Sequence, residues 1–408
     1  MLAFTFPGQG SQRPGMGRAW TDHPSWEVVE DATRVSGQDL TRLLLHADQA
    51  ELTLTANAQL TTFVLSLVVL DAIERVGLAP TLCAGHSLGE YSALAASGAL
   101  DFEDGVRLVV ERGEAMHEAA VERPGTMAAI LGADDDTVEA ACQRAEGEVW
   151  VANYNAPGQV VVAGDAEAVD RAGTIAKELG ARKVLPFPVA GAFHTLLMAP
   201  ARSRLRKALA TTTFVTPEVP VVANVDGRVH ERADEWPGLL SAQLCSPVRW
   251  RQSLETLAAL GASAVVEVGP GGVLSGLARR TLSDVRVLAV AAPDDLDHLV
   301  DQVAGTESWH TYAAAHQGEH LYTSERVVVS PATGVFEPEE TLAAPGPGAR
   351  ATTGGGTKVA VGDLLGLVGR DEVRTPFAGL VVGFMAHRGE RVVSGQPVAW
   401  LRVNPAGS

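Results

Sequence analysis

Basic side chains are in short supply: 32 lysines and arginines stand against 49 acidic residues in a chain of 408, a net charge of −17 at pH 7. Such a balance argues against a duplex-DNA binder or a polybasic membrane-surface protein, because both need a cationic face. Cysteine is scarcer still. Cys83, Cys142 and Cys245 lie far apart and form no CxxC pair, which excludes a disulfide framework and a cysteine zinc site and leads us to expect a reducing cytoplasm. Long apolar runs are missing too: a stretch such as 61–70 falls short of the ~20 residues of a spanning helix. No charged segment precedes the short apolar start LAFTF, which meets a Pro-Gly turn at Pro7. No signal peptide is expected, and the protein is expected to be soluble and cytoplasmic.

What is present is a chain that is 46% apolar and long enough for two to three domains on the usual prior of ~150 residues each. Residues 2–6 read as a strand running into the glycine-rich turn 7–17. Residues 57–76 read as a buried helix, apolar nearly all round and ended by Gly77 and Pro80. A short strand at 81–84, the turn GHSLG at 85–89 and an alanine-rich helix through Ala96 follow in direct succession. Between 125 and 194 the pattern changes to short β-branched strands: strand 127–131, helix 135–145, strands 149–153 and 159–164, helix 165–179 and strand 182–186. That β-α-β-β-α-β order predicts an inserted ferredoxin-like subdomain. Beyond it come helix 196–210, strand 219–224, helix 251–260, and strand 264–268 ending in the turn GPGG at 269–272. The predicted class is α/β.

A polar, weakly patterned stretch with a helix at its start carries three of the eleven histidines, His310, His316 and His320, and reads as a linker over 301–320. From 321 onward the character is all-β, with short valine-rich runs, Gly-Pro turns and one low-complexity loop at 344–357. This tail repeats itself. SPATGV at 330–335 returns as TPFAGL at 375–380, and GDLL at 362–365 returns as GQPV at 395–398, which predicts a pseudo-two-fold β-domain. It carries eight acidic and eight basic side chains, so the excess negative charge lies upstream. The expected division is a core of 1–125 with 195–300, a subdomain of 126–194, the linker 301–320 and a β-domain of 321–408.

GHSLG fits G-x-S-x-G, in which glycines permit a tight strand-to-helix turn that thrusts the serine hydroxyl outward at a helix N-terminus. The strand before and helix after it supply the context that the motif needs, making Ser87 the candidate nucleophile over an ordinary capping serine. The amide of Leu88 would then be an oxyanion donor. His86 should point away from its neighbour. His194, in GAFHT after the strand-turn VLPFPVAG, is a candidate base, the bland reading being a capping or surface histidine. An α/β-hydrolase is disfavoured, since that fold builds several strands before its elbow and brings an acid and a histidine late in the chain.

The segments FPGQGSQ (6–12), GHSLGEYSAL (85–94), RLVVERGEAM (107–116), NYNAPGQVVVAG (153–164), GAFHTLLM (191–198), PVVANVDG (220–227), QLCSPVRW (243–250) and EVGPGGVLSGL (267–277) together resemble the malonyl-CoA:acyl carrier protein transacylases, in order over about residues 1–300. The resemblance implies a hydrolase-like acyltransferase core. It implies that Ser87 takes the malonyl group from coenzyme A as an ester, with His194 as general base and acid. A main-chain carbonyl near Gln243 would orient the histidine, Arg112 would bind the malonyl carboxylate, and the amides of Gln9 and Leu88 would form the oxyanion hole. In that family a Phe at the place of Phe193 goes with malonyl rather than methylmalonyl units, so malonyl is the unit that the resemblance implies. Malonyl-CoA and a phosphopantetheinylated acyl carrier protein would be the partners, in fatty-acid or polyketide synthesis. Physical chemistry agrees on Arg112: a carboxylate in a cleft needs a planar, permanently charged, bidentate donor.

The tail resembles the barrel-sandwich hybrid of biotinyl and lipoyl carriers. Those present a lysine at the hairpin between halves; here the hairpin is Gly369-Arg370-Asp371-Glu372, and the single tail lysine, Lys358, follows the low-complexity loop. No biotin or lipoyl attachment, and no cofactor, is expected; a protein partner for this domain is. Two other functions stay open at this level: a thioester hydrolase using the same serine, and a docking or assembly protein acting through the tail. Lys183, Arg202, Arg279 and Arg280 are candidates for a basic patch facing an acidic carrier.

Overall fold

Five residues, LAFTF, make strand β1 (Leu2–Phe6), every one of them buried; a continuous apolar run suits a strand with parallel neighbours and both faces covered. A computed structural model of the chain describes residues 1–187, 189, 191–303, 325–339, 342 and 357–402. It divides into two compact units, 1–70 with 80–295 and 71–79 with 296–408.

The strands of the first unit are β1, β2 (Leu82–Gly85), β3 (Thr126–Leu131), β4 (Val149–Ala156), β5 (Gln159–Gly164), β6 (Lys183–Pro186), β7 (Val221–Val222), β8 (Val229–His230), β9 (Ala264–Val268) and β10 (Arg286–Val290). Six of them form one sheet in the order β10-β9-β1-β2-β7-β8, parallel except for the last pair. Because β9, β1 and β2 are neighbours, their carboxyl ends bring GPGG, FPGQGSQ and GHSLG together at one edge, where open α/β sheets place their sites. Between 126 and 186 the elements run β-α-β-β-α-β, and the four strands pair antiparallel in the order β4-β5-β3-β6. Helices Asp135–Arg144 and Ala166–Glu178 bury Val138, Ala141, Val169 and Ala172 with Ile130, Val151 and Val162 of the strands.

Two expectations need correction. The strand predicted at 219–224 shrinks to the two residues of β7. Pro220 has no N–H to give a ladder, and the backbone of Asn224 is engaged elsewhere, its N–H by Glu90 and its carbonyl by Arg249. The buried helix spans Thr55–Arg75, 21 residues long and apolar enough to cross a membrane, longer than the runs read from sequence. Phe63, Val64, Leu65, Val68 and Val69 are all at 0% exposure, so its apolar surface is used inside the fold.

The second unit contains helix Asp295–Val303 and strands β11 (Glu325–Val329), β12 (Gly334–Pro338), β13 (Thr357–Val359), β14 (Leu364–Val368), β15 (Asp371–Arg374), β16 (Gly379–Phe384), β17 (Arg391–Val392) and β18 (Pro397–Arg402). They make two four-stranded sheets, β11-β18-β16-β13 and β15-β14-β12-β17, around Phe336, Leu365, Val392, Val398 and Leu401. The repeat seen in the sequence is a repeat of bonds. Ser330 Oγ donates to the Ala332 carbonyl and Thr375 Oγ1 to that of Phe377, at 2.6 and 2.7 Å. The Gly395 amide donates to the Ser330 carbonyl and the Gly362 amide to that of Thr375, both at 2.8 Å. Of the linker expected at 301–320, residues 301–303 belong to helix Asp295–Val303, and the rest, with nearly all of the low-complexity loop, lies outside the described residues.

Candidate active site

The elbow has its shape because two positions cannot carry a side chain. A Cβ on Gly85 would stand 1.8 Å from the Gly89 carbonyl oxygen, and one on Gly89 would stand 2.0 Å from that of Phe6. The chain therefore turns tightly from β2 into helix Gly89–Ala96 against the end of β1. Ser87, at the apex, has φ of +52°, a left-handed conformation that costs a non-glycine residue on the order of 1 kcal/mol or more and clusters at functional sites. Its N–H donates to Asn224 Oδ1 at 2.7 Å, and Asn224 Nδ2 donates to the Gly85 carbonyl at 2.6 Å, so one amide side chain clamps both sides of the turn.

His194 is the only other described non-glycine residue with positive φ, +62°. Its ring bridges two partners: Nε2 lies 2.7 Å from Ser87 Oγ and Nδ1 lies 2.9 Å from the Gln243 carbonyl oxygen. A carbonyl only accepts, so Nδ1 carries the proton and Nε2 presents its lone pair to the serine hydroxyl. Gln243 is the last residue of helix Trp236–Gln243, where carbonyls lack partners within the helix. Burial and the nearby Arg112 charge push the His194 imidazole down to about 3, so the neutral base is strongly favoured.

Arg112 reaches the site from the middle of helix Phe102–Glu122 and is 1% exposed. Nη2 donates to Ser87 Oγ at 3.1 Å and to Gln243 Oε1 at 2.9 Å, while Nη1 donates to Gln59 Oε1 at 2.6 Å. All three acceptors are neutral, and burial lowers the pKa of the guanidinium. A buried cation held only by neutral groups is an anion site. Ser87, His194, Arg112, Gln9 and Phe193 line one cleft of about 380 Å³, with Met116 and Met127 among its apolar walls. Leu88 is fully buried behind the serine. His86 lines the same cleft without bonding to Ser87 Oγ: its Nε2 meets Asn155 Oδ1 at 2.9 Å and its ring stands edge-on to Trp250.

Sequence reasoning placed Ser87, His194, Arg112, Gln243, Gln9 and Phe193 at the site, and the fold brings them together. It missed Gln59, Glu90, Asn224 and the side chain of Gln243. A signal for one of them exists: Glu90 is the single charge in GEYSALAA, whereas Gln59 is one of several polar residues in its helix. A buried polar residue in an apolar element needs a partner. Glu267 was missed as well; its buried carboxylate accepts from the amides of Gly272, Leu274 and Ser275 and so ties down the GPGG turn at the start of helix Val273–Thr281, whose Val273, Leu274 and Leu277 face the cleft.

A serine hydroxyl bonded to a neutral histidine, beside a buried guanidinium, is an arrangement that can carry acyl-group transfer, the chemistry of the serine acyltransferases. The chain belongs to the acyl transferase domain family, which it matches over residues 3–314. It is 44% identical over 299 residues to the malonyl CoA-acyl carrier protein transacylase of Escherichia coli (strain K12), covering 72% of this chain and 96% of that one. The crystal structure of an acyl carrier protein S-malonyltransferase from Vibrio cholerae superposes with a TM-score of 0.71 at 39% identity, over 73% of this chain and 99% of that one. A malonyl-transacylase solved in complex with a type II polyketide acyl carrier protein gives a TM-score of 0.72 at 38% identity, over 74% of this chain and 99% of that one. The protein is an acyltransferase.

Proposed function

We propose that this enzyme transfers a malonyl group from malonyl-CoA to the phosphopantetheine thiol of an acyl carrier protein, in the cytoplasm, serving fatty-acid or polyketide synthesis. The observation that carries the reading is the triangle of Ser87 Oγ, His194 Nε2 and Arg112 Nη2, with sides from the hydroxyl of 2.7 and 3.1 Å. In the first half-reaction His194 Nε2 takes the Ser87 proton as Oγ attacks the thioester carbonyl. The oxyanion is met by the amides of Gln9 and Leu88, neither of which has an acceptor among the described residues. The proton then passes from Nε2 to the departing coenzyme A sulfur. In the second half the carrier thiol gives its proton to His194 and attacks the ester carbonyl, and Ser87 leaves with the proton returned.

Arg112 binds the malonyl carboxylate, and Phe193, 6% exposed beside His194, leaves little room for a branch at the α-carbon. The antiparallel subdomain 126–194 is read as ferredoxin-like, inserted into a core of 1–125 with 195–300. The domain 321–408, after a linker at 301–320, is read as a barrel-sandwich hybrid that binds a protein partner and carries no covalent biotin or lipoyl group. Support for the last point is the β14–β15 turn, which has Gly369-Arg370 where a lysine would be needed, and Lys358, exposed on the separate strand β13. The test is intact-mass measurement after mixing with malonyl-CoA and then with a phosphopantetheinylated carrier: a malonyl increment should appear on the enzyme and then move to the carrier. No increment on the enzyme would overturn the reading.

A further inference from the structure

The helix after the elbow buries a carboxylate, Glu90, at 1% exposure, and none of the steps above uses it. Arg112 is buried equally, yet no ion pair joins Arg112 to a carboxylate among the described residues. Between the two charges stands one amide. Gln243 Nε2 donates to Glu90 Oε2 at 2.5 Å, and Gln243 Oε1 accepts from Arg112 Nη2 at 2.9 Å. Only one orientation of that amide is tolerable, since the reverse would set its oxygen against a carboxylate and its NH₂ against a guanidinium. The other carboxylate oxygen, Oε1, accepts from the Asn224 N–H at 2.7 Å, and Asn224 is the residue that clamps the elbow. Burial raises the Glu90 carboxyl to about 7, opposed by these two hydrogen bonds and by the Arg112 charge.

We propose that Glu90 is a positioning residue that holds Arg112 at one remove, through the Gln243 amide, so that the guanidinium is fixed in place but its charge is left for the acyl carboxylate. A carboxylate directly on Arg112 would neutralise the anion site; with no carboxylate at all, the Gln243 amide would be held in this sense only by its 2.8 Å donation to the neutral Ser87 carbonyl. Charge-assisted bonds through a polarised amide supply the compromise. This inference rests on the reading of Arg112 as the malonyl carboxylate site, and it names the group that makes that site selective.

The experiment measures Ser87 acylation by intact mass over a range of malonyl-CoA and acetyl-CoA concentrations, giving KM and maximal rate, together with the melting temperature of each variant. In Glu90→Gln the new NH₂ must face one of two donors, the Asn224 N–H or the NH₂ of Gln243, and relief by turning Gln243 over presents a donor to Arg112 and gives up the bond to the Ser87 carbonyl. The malonyl KM should rise at least about tenfold, the loss of one charge-assisted hydrogen bond, with a smaller change for acetyl-CoA. Combining Glu90→Gln with Gln243→Glu restores the donor–acceptor match between positions 90 and 243, moves the negative charge onto Arg112, and gives up the 2.8 Å donation from residue 243 to the Ser87 carbonyl. That double variant should fold and acetylate Ser87, while its malonyl KM stays at least as high as in the single variant. Recovery of the malonyl KM in the double variant, or equal losses on both acyl-CoAs in a folded Glu90→Gln, would overturn the inference. Gln243→Ala cuts the relay while keeping both charges and the main-chain carbonyl, so an unchanged malonyl KM there would overturn it whatever happens to the Glu90 variants. Arg112→Ala separates the two levels. If it keeps malonyl preference, the carboxylate reading itself is wrong; if it loses preference while Glu90→Gln does not, only the relay is wrong.

Discussion

Arg112 Nη2 lies 3.1 Å from the hydroxyl oxygen of Ser87, so the anion-binding group and the nucleophile are immediate neighbours. In a malonyl thioester two carbon–carbon bonds of about 1.5 Å each separate the carboxylate carbon from the carbon under attack. An acyl group that short can touch both residues at once, and a carboxylate paired with Arg112 would bring its own thioester carbonyl to Ser87.

Ser87→Ala is expected to remove the malonyl mass increment completely, because among the described residues no other hydroxyl is hydrogen-bonded to the His194 ring. The check is intact mass followed by peptide mapping. A full increment on the variant would place the ester elsewhere.

For Arg112→Ala the acyl carboxylate loses its partner in a desolvated cleft, a loss on the order of 2 to 5 kcal/mol. Malonyl transfer should fall by about 30-fold to several thousand-fold at that cost, with acetyl transfer spared or improved. Rates on both acyl-CoAs decide the matter: equal losses would mean that Arg112 only supports the fold.

The acid limb of serine reactivity should lie well below the ordinary histidine pKa. Burial favours neutral His194, lowering its pKa from 6.5 to about 3, so the base persists as pH falls through 6.5. Folding feels the opposite side of the same shift. Below 6.5 the unfolded chain binds a proton that the native site refuses, so stability contributed by neutral His194 drops as pH falls from about 6.5 toward 3. Inactivation by phenylmethylsulfonyl fluoride, which has no ionising group in this range, reports the limb directly. A midpoint at 6.5 or above would show that the imidazole is solvated.

Docking of an acidic carrier should use cations near the cleft mouth. Arg279 and Arg280 are exposed at the end of the helix whose first turns line the cleft, and Arg280 donates to Gln159 of the same lining at 2.6 Å. Reversing both charges should raise the carrier KM and weaken its salt dependence, leaving acylation by malonyl-CoA unchanged. Exposed Lys183 and Arg202 are the next positions to reverse. Unchanged carrier kinetics would remove Arg279 and Arg280 from the docking surface.

A chain ending near Gly305 should keep Ser87 acylation, since every group placed in the chemistry lies upstream. The full chain should gain no biotin or lipoyl mass when produced with the attaching ligases. Loss of acylation in a soluble, folded truncation would show that the tail completes the site.

The contrast between what could be read and what could not has a physical origin. Ser87 and Arg112 were legible because motifs record local geometry: the glycines of GHSLG are forced by close approaches below 2.1 Å, and a resemblance over RLVVERGEAM carries the arginine with it. The βαββαβ order was legible because short β-branched runs alternate with two helical patterns, whose buried residues pack with those of the strands. Glu90, Gln59 and Asn224 were not, because their roles arise from contacts 53 to 153 residues apart in the chain. Strand 219–224 failed for the same reason: its β-branched sequence is suited to a ladder, but distant Glu90 and Arg249 claim the backbone of Asn224.

In the tail, β11 and β18 are antiparallel neighbours, with Glu325 opposite Arg402. The path therefore comes back to where it set out, and the two halves exchange their glycine–hydroxyl turns rather than keeping them to themselves. Such a loop-like path has no privileged beginning. Joining the chain near 402 to a point near 325 and opening it at the Gly369-Arg370 turn would preserve every strand pairing, so a circularly permuted tail should reach the same fold. Whatever this domain contributes can thus be grafted or transposed as a module, and its transfer onto another protein offers a way to read its role apart from the acyltransferase.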